Sequence, residues 1–416
     1  MALKVSIIGG GVIGLFCAYY LQKAGASVEV FDRGEMSDGC SHGNAGMIVP
    51  SHFIPLAAPG MMAKGIRWMF NPESPFYVRP RLSRSLLSWG WQFYKAATKQ
   101  RVAEAAPVLR DISLLSKQLY QELAREAAFD FAFEEKGLMM LYKTAKAAEE
   151  EQEVAHMANR LGIEAQVLSA ETVKAMEPEV ALEVSGAVYY PGDAHLHPNY
   201  LLQALRKKLQ AAGVTFHAQT EIQHLERQGK RLLAICSHRG KHEVEEVVIA
   251  GGAWTPQLVR QLGCSLPLQA GKGYSFTVAS PAQRLKYPSI LTEAKIAVTP
   301  MGSQLRFAGT MEIGGLDESV NPRRLRGIVK SIPHYFPDFP LRTPKREAVW
   351  SGLRPCSPDG KPYIGRLASF GNVSIAGGHA MMGLSLAPAT GLLVAQLLEG
   401  KARAMPLQAF SPNRFA

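Results

Sequence analysis

The chain has 416 residues, enough for two domains or for one elaborated domain with a large core. Its composition, 47% hydrophobic and 19% charged, is ordinary for a globular protein and excludes a fibrous or low-complexity chain. No uninterrupted apolar run reaches the roughly 20 residues of a membrane-spanning helix, and the first residues do not have the pattern of a signal peptide. We therefore expect a cytoplasmic protein.

The cysteines and the charge balance limit the kinds of partner. The five cysteines are scattered and no pair has the spacing of zinc ligands, so neither a disulfide framework nor a metal site is expected. The formal net charge is +11, but the basic clusters are far apart and lack the interleaved aromatic residues of a nucleic-acid groove. Peripheral attachment to the anionic inner face of the cell membrane stays open, because one stretch combines basic and aromatic residues. These residues are Lys64, Arg67, Trp68, Phe70, Arg79, Arg81, Arg84, Trp89, Trp91, Phe93 and Tyr94.

The amino-terminal stretch reads as a complete nucleotide-binding unit. An apolar strand at 5–8 runs into Gly9, Gly11 and Gly14, which fit Gly-x-Gly-x-x-Gly, and a helical pattern follows. A second strand ends at Asp32, close to the spacing of roughly 20 residues expected for an acid that binds a ribose. The glycines allow the tight turn and the close approach of a pyrophosphate to the helix N-terminus. The alternative is a plain strand–helix–strand turn that is rich in glycine.

Asp32 restricts the choice of dinucleotide. A carboxylate at this position accepts hydrogen bonds from ribose hydroxyls and disfavours the 2′-phosphate of NADP. The motif by itself fits NAD as well as FAD.

Three segments of strand and helix pattern, at 5–32, 187–262 and 373–398, are separated by two unlike insertions. In the later segments apolar strands end at Gly251-Gly252 and Gly377-Gly378, so several backbone segments can approach one large cofactor. The insertions are predicted to hold helices over 82–129 and 145–163, a strand–turn–strand unit at 131–142 and a strand-rich section over 267–345. This pattern favours a discontinuous nucleotide-binding domain with a substrate domain threaded between its parts.

Several motifs in a fixed order make the chain resemble the D-amino-acid oxidase-like FAD flavoenzymes, and within them the bacterial D-amino-acid dehydrogenases more than glycine oxidase. The resemblance covers nearly the whole chain. Besides the glycine unit, its motifs lie at 41–46, 248–254, 272–275, 306–312, 352–360 and 378–379. It implies an α/β fold in which a discontinuous Rossmann-like FAD-binding domain (1–60, 187–265 and 346–416) carries an inserted α+β substrate domain (61–186 and 266–345) with a large mixed or antiparallel sheet.

The resemblance also assigns residues to the cofactor. It places the small residues of 41–46 along the isoalloxazine ring, although an ordinary surface turn would have the same composition. It directs the N-terminus of an apolar helix after His379 at the pyrimidine edge, while His379 itself is explained equally well as a helix cap. The assigned residues are Gly9, Gly11, Gly14, Asp32, Arg33, Ser41, Asn44, Ala45, Gly46, Gly252, Trp254, Gly378, His379 and Gly383.

Three residues are candidates for substrate binding or catalysis. Arg354, in Gly-Leu-Arg-Pro, matches the carboxylate-binding arginine of the family, and a guanidinium fits a carboxylate in charge and plane. A structural salt bridge is the alternative. Tyr274 is a second carboxylate contact, a lid over the ring or a core tyrosine. Lys272 lies near the flavin if the Lys-Gly-Tyr-Ser match holds. His52, His195 and His197 are further pocket candidates, with a helix-cap role favoured for His197.

Cys356 bears on how FAD is held. Some relatives attach FAD through a cysteine upstream of a Pro-Asp pair, but here the matching position is Gly352 and Cys356 lies only two residues before Pro358. Non-covalent FAD is therefore expected.

The implied reaction is oxidation of a D-amino acid to an imino acid, which hydrolyses to a keto acid, with electrons passed to a quinone or another non-oxygen acceptor. Two enzymatic alternatives remain, an oxygen-using oxidase of glycine or sarcosine type and a dehydrogenase of D-proline or hydroxy-D-proline. A third alternative is a non-enzymatic flavoprotein or a tRNA-modification-type subunit, against which the intact Arg354 motif argues. The motifs do not separate the electron acceptors.

Overall fold

The structure is a computed structural model that describes residues 2–61, 65, 74–127 and 129–416. The strands of these residues are β1 (Lys4–Ile8), β2 (Ser27–Phe31), β3 (Met47–Ile48), β4 (Phe76–Val78), β5 (Leu138–Tyr142), β6 (Gln166–Ser169), β7 (Gly186–Tyr190), β8 (Ala194–His195), β9 (Thr215–His217), β10 (Ile222–Gln228), β11 (Arg231–Ser237), β12 (Gly240–Glu243), β13 (Glu246–Ile249), β14 (Gln269–Ala279), β15 (Ser289–Leu291), β16 (Ile296–Met301), β17 (Gln304–Ile313), β18 (Trp350–Cys356), β19 (Tyr363–Arg366) and β20 (Val373–Gly377). The helices are α1 (Val12–Lys23), α2 (Arg84–Ala96), α3 (Lys99–Ala124), α4 (Ala145–Arg160), α5 (Ala170–Met176), α6 (Pro198–Ala211), α7 (Thr255–Gln261), α8 (Pro322–Ser331) and α9 (Gly383–Leu398).

A six-stranded sheet carries the nucleotide motif. Its order is β19-β20-β13-β1-β2-β9, and all neighbours are parallel except β19 and β20. Its central strands β13, β1 and β20 are buried along nearly their whole length, because both faces of the sheet are covered. On one face α1 packs against α9, and a Cβ on Gly391 would lie 2.4 Å from the carbonyl oxygen of Phe16. Glycine therefore allows the close approach of these two helices.

A nine-stranded mixed sheet forms the second layer, with the order β18-β14-β17-β16-β15-β5-β7-β6 and with β4 paired to β17. The pairs β14–β17 and β14–β18 are antiparallel, whereas β15–β5 and β17–β4 are parallel. Its core includes Phe276, Phe307 and Phe336. The predicted large mixed sheet is confirmed.

Some local predictions differ from the structure. The stretch 131–142 holds one strand, β5, and its first half contributes only an isolated bridge between Glu134 and His195. The predicted boundaries group 346–416 with the nucleotide-binding segments, yet β18 pairs with β14 in the nine-stranded sheet. The position of β18 is determined by its pairing with a distant strand, and the local periodicity of the sequence does not predict such pairing.

One helical stretch, Ala380–Leu398, has the length and hydropathy of a membrane span in the part of the chain that the structure describes. Its mean hydropathy is 1.6, and 61% of the hydrophobic window is buried. It contains α9, which packs against both α1 and α3 in the largest core. Burial within the protein accounts for its apolar composition.

Candidate active site

A cavity of about 1,080 Å³ opens where parallel strands of the six-stranded sheet end. It is bounded by the segments that follow β1, β2, β13 and β20, and on the other side by β17 and β18 of the nine-stranded sheet. Ligands bind at the carboxyl ends of parallel strands in open α/β sheets, and the volume lies slightly above the roughly 300–1,000 Å³ that is usual for ligand pockets. The cavity therefore has the size and place for a dinucleotide and a small substrate.

Glycines shape the nucleotide end of the cavity. Gly9 has a φ of +116°, and a Cβ on Gly14 would lie 1.8 Å from the Gly9 carbonyl oxygen. Gly11 is the N-cap of α1 and has no capping side chain of its own. Ser41 Oγ accepts a hydrogen bond from the Val12 amide at 3.1 Å. The first turn of α1 thus faces the cavity with backbone amides, as an anion site requires.

Asp32 follows β2, and its side chain holds the backbone of two turns, the glycine turn after β1 and the turn after β2. Its carboxylate accepts hydrogen bonds from the amides of Gly10 at 2.7 Å and Gly34 at 2.8 Å. The next residue, Arg33, lies 3.6 Å over the ring of Trp254 and pairs with Glu318 at 3.2 Å. All three sequence-predicted residues here, Asp32, Arg33 and Trp254, line the cavity, as does Gly252.

Two side chains of the nine-stranded sheet hold the backbone of the 41–46 segment. Arg306 donates to the carbonyl oxygens of His42 at 3.1 Å and Asn44 at 2.7 Å, and Ser275 Oγ donates to the carbonyl oxygen of Gly43 at 2.8 Å. Within the segment, Asn44 Oδ1 accepts from the Gly46 amide at 2.8 Å. Ser41, Asn44 and Ala45 line the cavity, so the segment forms part of its wall.

Arg306, to which the sequence analysis assigned no role, holds the backbone of the 41–46 segment. It is buried, and burial lowers the pKa of its guanidinium to about 10. A further hydrogen bond, from Nε to Thr277 Oγ1 at 3.1 Å, fixes the side chain against β14. A buried arginine that donates to loop carbonyls is a strong positional constraint. Its only signal in the sequence was its place in the 306–312 motif.

The helix α9 points its N-terminus at the cavity. Gly383 begins it, no side chain caps it and its first turn has no acidic residue. His379 is buried and its Nε2 lies 2.9 Å from Thr390 Oγ1, so it braces the helix without serving as the predicted side-chain cap. Burial lowers the pKa of His379 to about 3, so the ring is neutral. Gly378 has a φ of +76° and lies outside the cavity lining.

Arg354 is the cation that faces the cavity beside β14. Its Nη1 donates to the Thr310 carbonyl oxygen at 2.7 Å, and its guanidinium covers Gly273, where a Cβ would lie 2.1 Å from Nη1. No carboxylate of the described residues lies within ion-pair distance, so Arg354 forms no structural salt bridge among them. Burial lowers the pKa of Arg354, though not enough to discharge a guanidinium. The site thus presents a charged fork suited to a carboxylate.

Lys272 and Tyr274 lie on the other face of β14. Lys272 Nζ contacts Asp317 Oδ2 at 3.0 Å and donates to the Ser319 carbonyl oxygen at 2.7 Å. Tyr274 is fully buried, and its hydroxyl donates to Glu312 at 3.3 Å. Side chains alternate across a strand, so when Gly273 faces Arg354 its two neighbours point away. Neither residue lines the cavity, and the core reading of Tyr274 fits its position.

The three candidate histidines also divide into one that lines the cavity and two that do not. His52 lines the cavity, whereas His195 and His197 do not. Ser51 Oγ links His52 Nδ1, at 3.1 Å, to the carboxylate of Asp193. Burial lowers the pKa of His52 to about 4 and raises that of Asp193 to about 7. A neutral imidazole that donates through Nδ1 keeps Nε2 as a hydrogen-bond acceptor for a ligand.

His197 occupies the N-cap position of α6 without a side-chain capping bond and stacks on Tyr200 at 3.9 Å. Gly14 and Gly46, like Gly378, support the cavity without lining it. Among the described residues, no group of three or more His, Cys, Asp or Glu side chains is placed to hold a metal ion.

Sequence comparison identifies the family. The profile of the family described as FAD dependent oxidoreductase matches residues 4–397. The D-amino acid dehydrogenase of Bradyrhizobium diazoefficiens is 30% identical over 423 residues, which cover 100% of this chain and 99% of that protein. The D-amino acid dehydrogenase of Granulibacter bethesdensis is 31% identical over 411 residues, which cover 96% of each chain.

Solved structures agree with this assignment. Glycine oxidase from Geobacillus kaustophilus superposes with a TM-score of 0.80 at 26% identity and covers 100% of both chains. L-proline dehydrogenase from P. horikoshii has a TM-score of 0.74 at 20% identity, covers 100% of this chain and 98% of that one, and shows the fold alone. The chain belongs to the FAD dependent oxidoreductase family, as its motifs predicted.

The cavity fits FAD in chemistry as well as size. The amides of the first turn of α1 and the uncapped start of α9 offer positive dipole ends to the pyrophosphate and to the ring, and Asp32 is an acceptor for the ribose. Cys356 is fully buried outside the cavity lining, and burial raises the pKa of its thiol to about 12. This position agrees with the prediction of non-covalent FAD.

Proposed function

We propose that the protein oxidises a D-amino acid to an imino acid, which water then hydrolyses to a keto acid. The observation that carries this proposal is the Arg354 guanidinium, which forms no ion pair with a described residue and lies in the wall of a cavity that fits FAD. The names of the two D-amino acid dehydrogenases support the substrate class. FAD, when bound, supplies the acceptor for a hydride from the α-carbon of the substrate.

The residues of the chain bind and orient the substrate. Arg354 receives the carboxylate in a bidentate pair, while its bond to the Thr310 carbonyl fixes the direction of the guanidinium. Arg306 and Ser275 hold the 41–46 segment so that its amides keep one position against the cofactor ring. Catalysis then depends on orientation, because a fixed geometry replaces a bimolecular encounter.

The side of the cavity that we assign to the substrate is mostly apolar, and the polar side chains His52 and Lys295 lie on it. The residues on this side come from 52–61, 75–76, 140 and 290–311. Met140, Ile290 and Ala297 form an apolar wall, and His52 and Lys295 add polar atoms to it. We expect a side chain or ring of moderate size to fit this wall.

The electron acceptor we propose is a quinone or another non-oxygen oxidant, and association with the inner face of the cell membrane would bring the enzyme to a quinone. The dehydrogenase names favour this acceptor. The similarity to glycine oxidase keeps an oxygen-using oxidase as the second candidate.

An anaerobic screen tests the proposal. The holoenzyme is mixed with D-, L- and N-methyl amino acids, and bleaching of the visible flavin absorbance is followed. We expect reduction by D-amino acids and not by their L-enantiomers. If no D-amino acid bleaches the flavin, the proposed function is wrong. Oxygen consumption without dye would favour an oxidase, and turnover only with a quinone or dye would favour a dehydrogenase.

A further inference from the structure

Helix α2 has two different faces. One face is buried, because Trp89 and Phe93 stack at 5.0 Å and Trp89 Nε1 donates to the Cys356 carbonyl oxygen at 2.9 Å. The opposite face carries Leu87, Trp91 and Tyr94, which are 68%, 58% and 59% exposed. Their spacing of four and three residues puts them in one stripe. The helix is thus firmly anchored while it presents large apolar side chains to the outside.

The exposed stripe is ordered and extends beyond the helix. Trp91 and Tyr94 stack at 5.9 Å with 22° between their planes, and Lys95 Nζ lies 5.0 Å over the Trp91 ring. Leu82, just before α2, is fully exposed. Single exposed apolar residues are normal, but a contiguous group marks a binding surface.

The chain segment that carries this stripe has charges of one sign. Residues 74–103 contain six basic residues and no aspartate or glutamate. Arg79, Arg84, Lys95 and Lys99 are exposed and make no ion pair with described residues. Lys64, Arg67, Trp68 and Phe70, which the sequence analysis grouped with this region, lie outside the described residues.

We propose that this α2 surface (Leu82, Leu87, Trp91 and Tyr94 with Arg79, Arg84, Lys95 and Lys99) docks on a lipid bilayer that contains anionic lipids. Tryptophan and tyrosine prefer the headgroup region, and lysine and arginine beside them bind anionic headgroups. A second copy of the chain fits less well, because a symmetric contact would bring two basic surfaces together. Nucleic acid would leave the leucines of the stripe without a partner.

The docking surface lies on the outer side of the wall of the cavity. The buried face of α2 packs in a cluster with Met311 and Cys356, and Met311 lines the cavity. Trp89 holds the strand β18 two residues from Arg354. A bilayer at the α2 surface would therefore be close to the redox site, which suits the lipid-soluble acceptor proposed above. Lipid binding itself does not depend on that proposed function.

Vesicle co-sedimentation of the full-length holoenzyme tests the surface. The probes are vesicles of phosphatidylcholine alone and of phosphatidylcholine with phosphatidylglycerol, at low and high salt. We expect binding to the anionic vesicles that weakens as salt rises, since exposed charges are screened. No binding to anionic vesicles at low salt would overturn the proposal.

Two variant sets identify the surface. Leu87, Trp91 and Tyr94 are changed together to serine, and the matched control changes Leu114, Val167 and Tyr200, which are exposed apolar residues elsewhere. We expect the first set to weaken vesicle binding at least tenfold and the control to retain it. Equal binding by both sets would refute the surface.

A second pair of variant sets changes basic residues and distinguishes a lipid-binding surface from a protein interface. Arg79, Arg84, Lys95 and Lys99 are changed to glutamine, against the exposed basic residues Lys207, Lys230, Arg239 and Arg403 as control. We expect the first set alone to lose at least tenfold in binding to anionic vesicles. If the stripe variant leaves vesicle binding intact but turns a dimer into a monomer, the surface is a protein interface and the proposal fails. Flavin reduction by substrate with a soluble dye, measured on the same variants, reports separately on the proposed function.

Discussion

Arg354 shows how a single residue acquires a function from its surroundings. It lies in the cavity wall with one bond, to the Thr310 carbonyl, and without a carboxylate partner among the described residues. Arg366, by contrast, forms a two-point ion pair with Glu246 at 2.8 and 3.0 Å. The unpaired arginine is available to a ligand, and the paired one is structural.

Replacement of Arg354 by alanine is expected to weaken substrate binding. Loss of a charge-assisted bidentate pair should raise the apparent Kd for a D-amino acid at least tenfold, or about 1.4 kcal/mol. The measurement is the concentration dependence of anaerobic flavin reduction. Arg366→Ala is the control and should lower stability while leaving that Kd unchanged. An unaltered Kd in Arg354→Ala would remove Arg354 from the substrate site.

At the scale of elements, the 41–46 segment depends on strands more than 200 residues away. Arg306 on β17 and Ser275 on β14 bind three of its carbonyl groups, and a Cβ on Gly43 would lie 1.9 Å from the Trp350 ring. The two sheets therefore meet through this segment, which lies against the cofactor site.

Arg306→Gln is expected to loosen FAD binding. The change removes charge-assisted bonds to the His42 and Asn44 carbonyls, each worth roughly 1.5–3 kcal/mol, so the Kd for FAD should rise at least tenfold. Titration of the apoprotein with FAD, followed by quenching of flavin fluorescence, measures it.

Arg324 offers a matched control for that experiment. It is also buried and donates to a carbonyl oxygen, that of Ser74 at 2.6 Å, but it does not touch the 41–46 segment. Arg324→Gln should lower stability with little change in the FAD Kd. Equal loss of FAD affinity in both variants would show a general effect of burying glutamine rather than a role of the segment.

At the scale of the whole molecule, buried histidines couple stability to pH. The pKa of His379 is lowered by burial from about 6.5 to about 3, so between these values the unfolded chain binds a proton that the folded chain does not. Its contribution to stability is therefore complete above pH 6.5 and is lost as pH falls. Buried Asp193 and Glu177, whose pKa values are raised to about 7, act in the opposite direction.

His379→Asn should reduce this acid sensitivity. For one proton, the loss between pH 7.5 and pH 5 is about 2 kcal/mol in the wild type and absent in the variant. The midpoints of urea unfolding of both apoproteins at the two pH values give the difference. The lost bond to Thr390 lowers the stability of the variant at every pH, so only the pH-dependent part is diagnostic. Parallel pH dependence in the two proteins would contradict the assignment of a neutral buried imidazole.

The sequence by itself determined the features that depend on residues close together in the chain. The strand, turn and helix of 4–23 and the acid at Asp32 lie within one short stretch, so their spacing already specifies the nucleotide site. The apolar character of α9 and the mixed sheet also followed from pattern and motif order.

Only the tertiary structure decided which side chains reach the cavity. The register between β14 and β18 pairs Arg354 with Gly271, and the guanidinium extends from there over Gly273. Lys272 and Tyr274 point away from it, although they belong to the same family motif as Gly273. The bonds of Arg306 to the 41–46 segment, and of Ser51 to Asp193, join residues 264 and 142 positions apart. Strand register and long-range contacts result from packing of the whole chain, so a local pattern identifies candidate residues but not the direction in which they point.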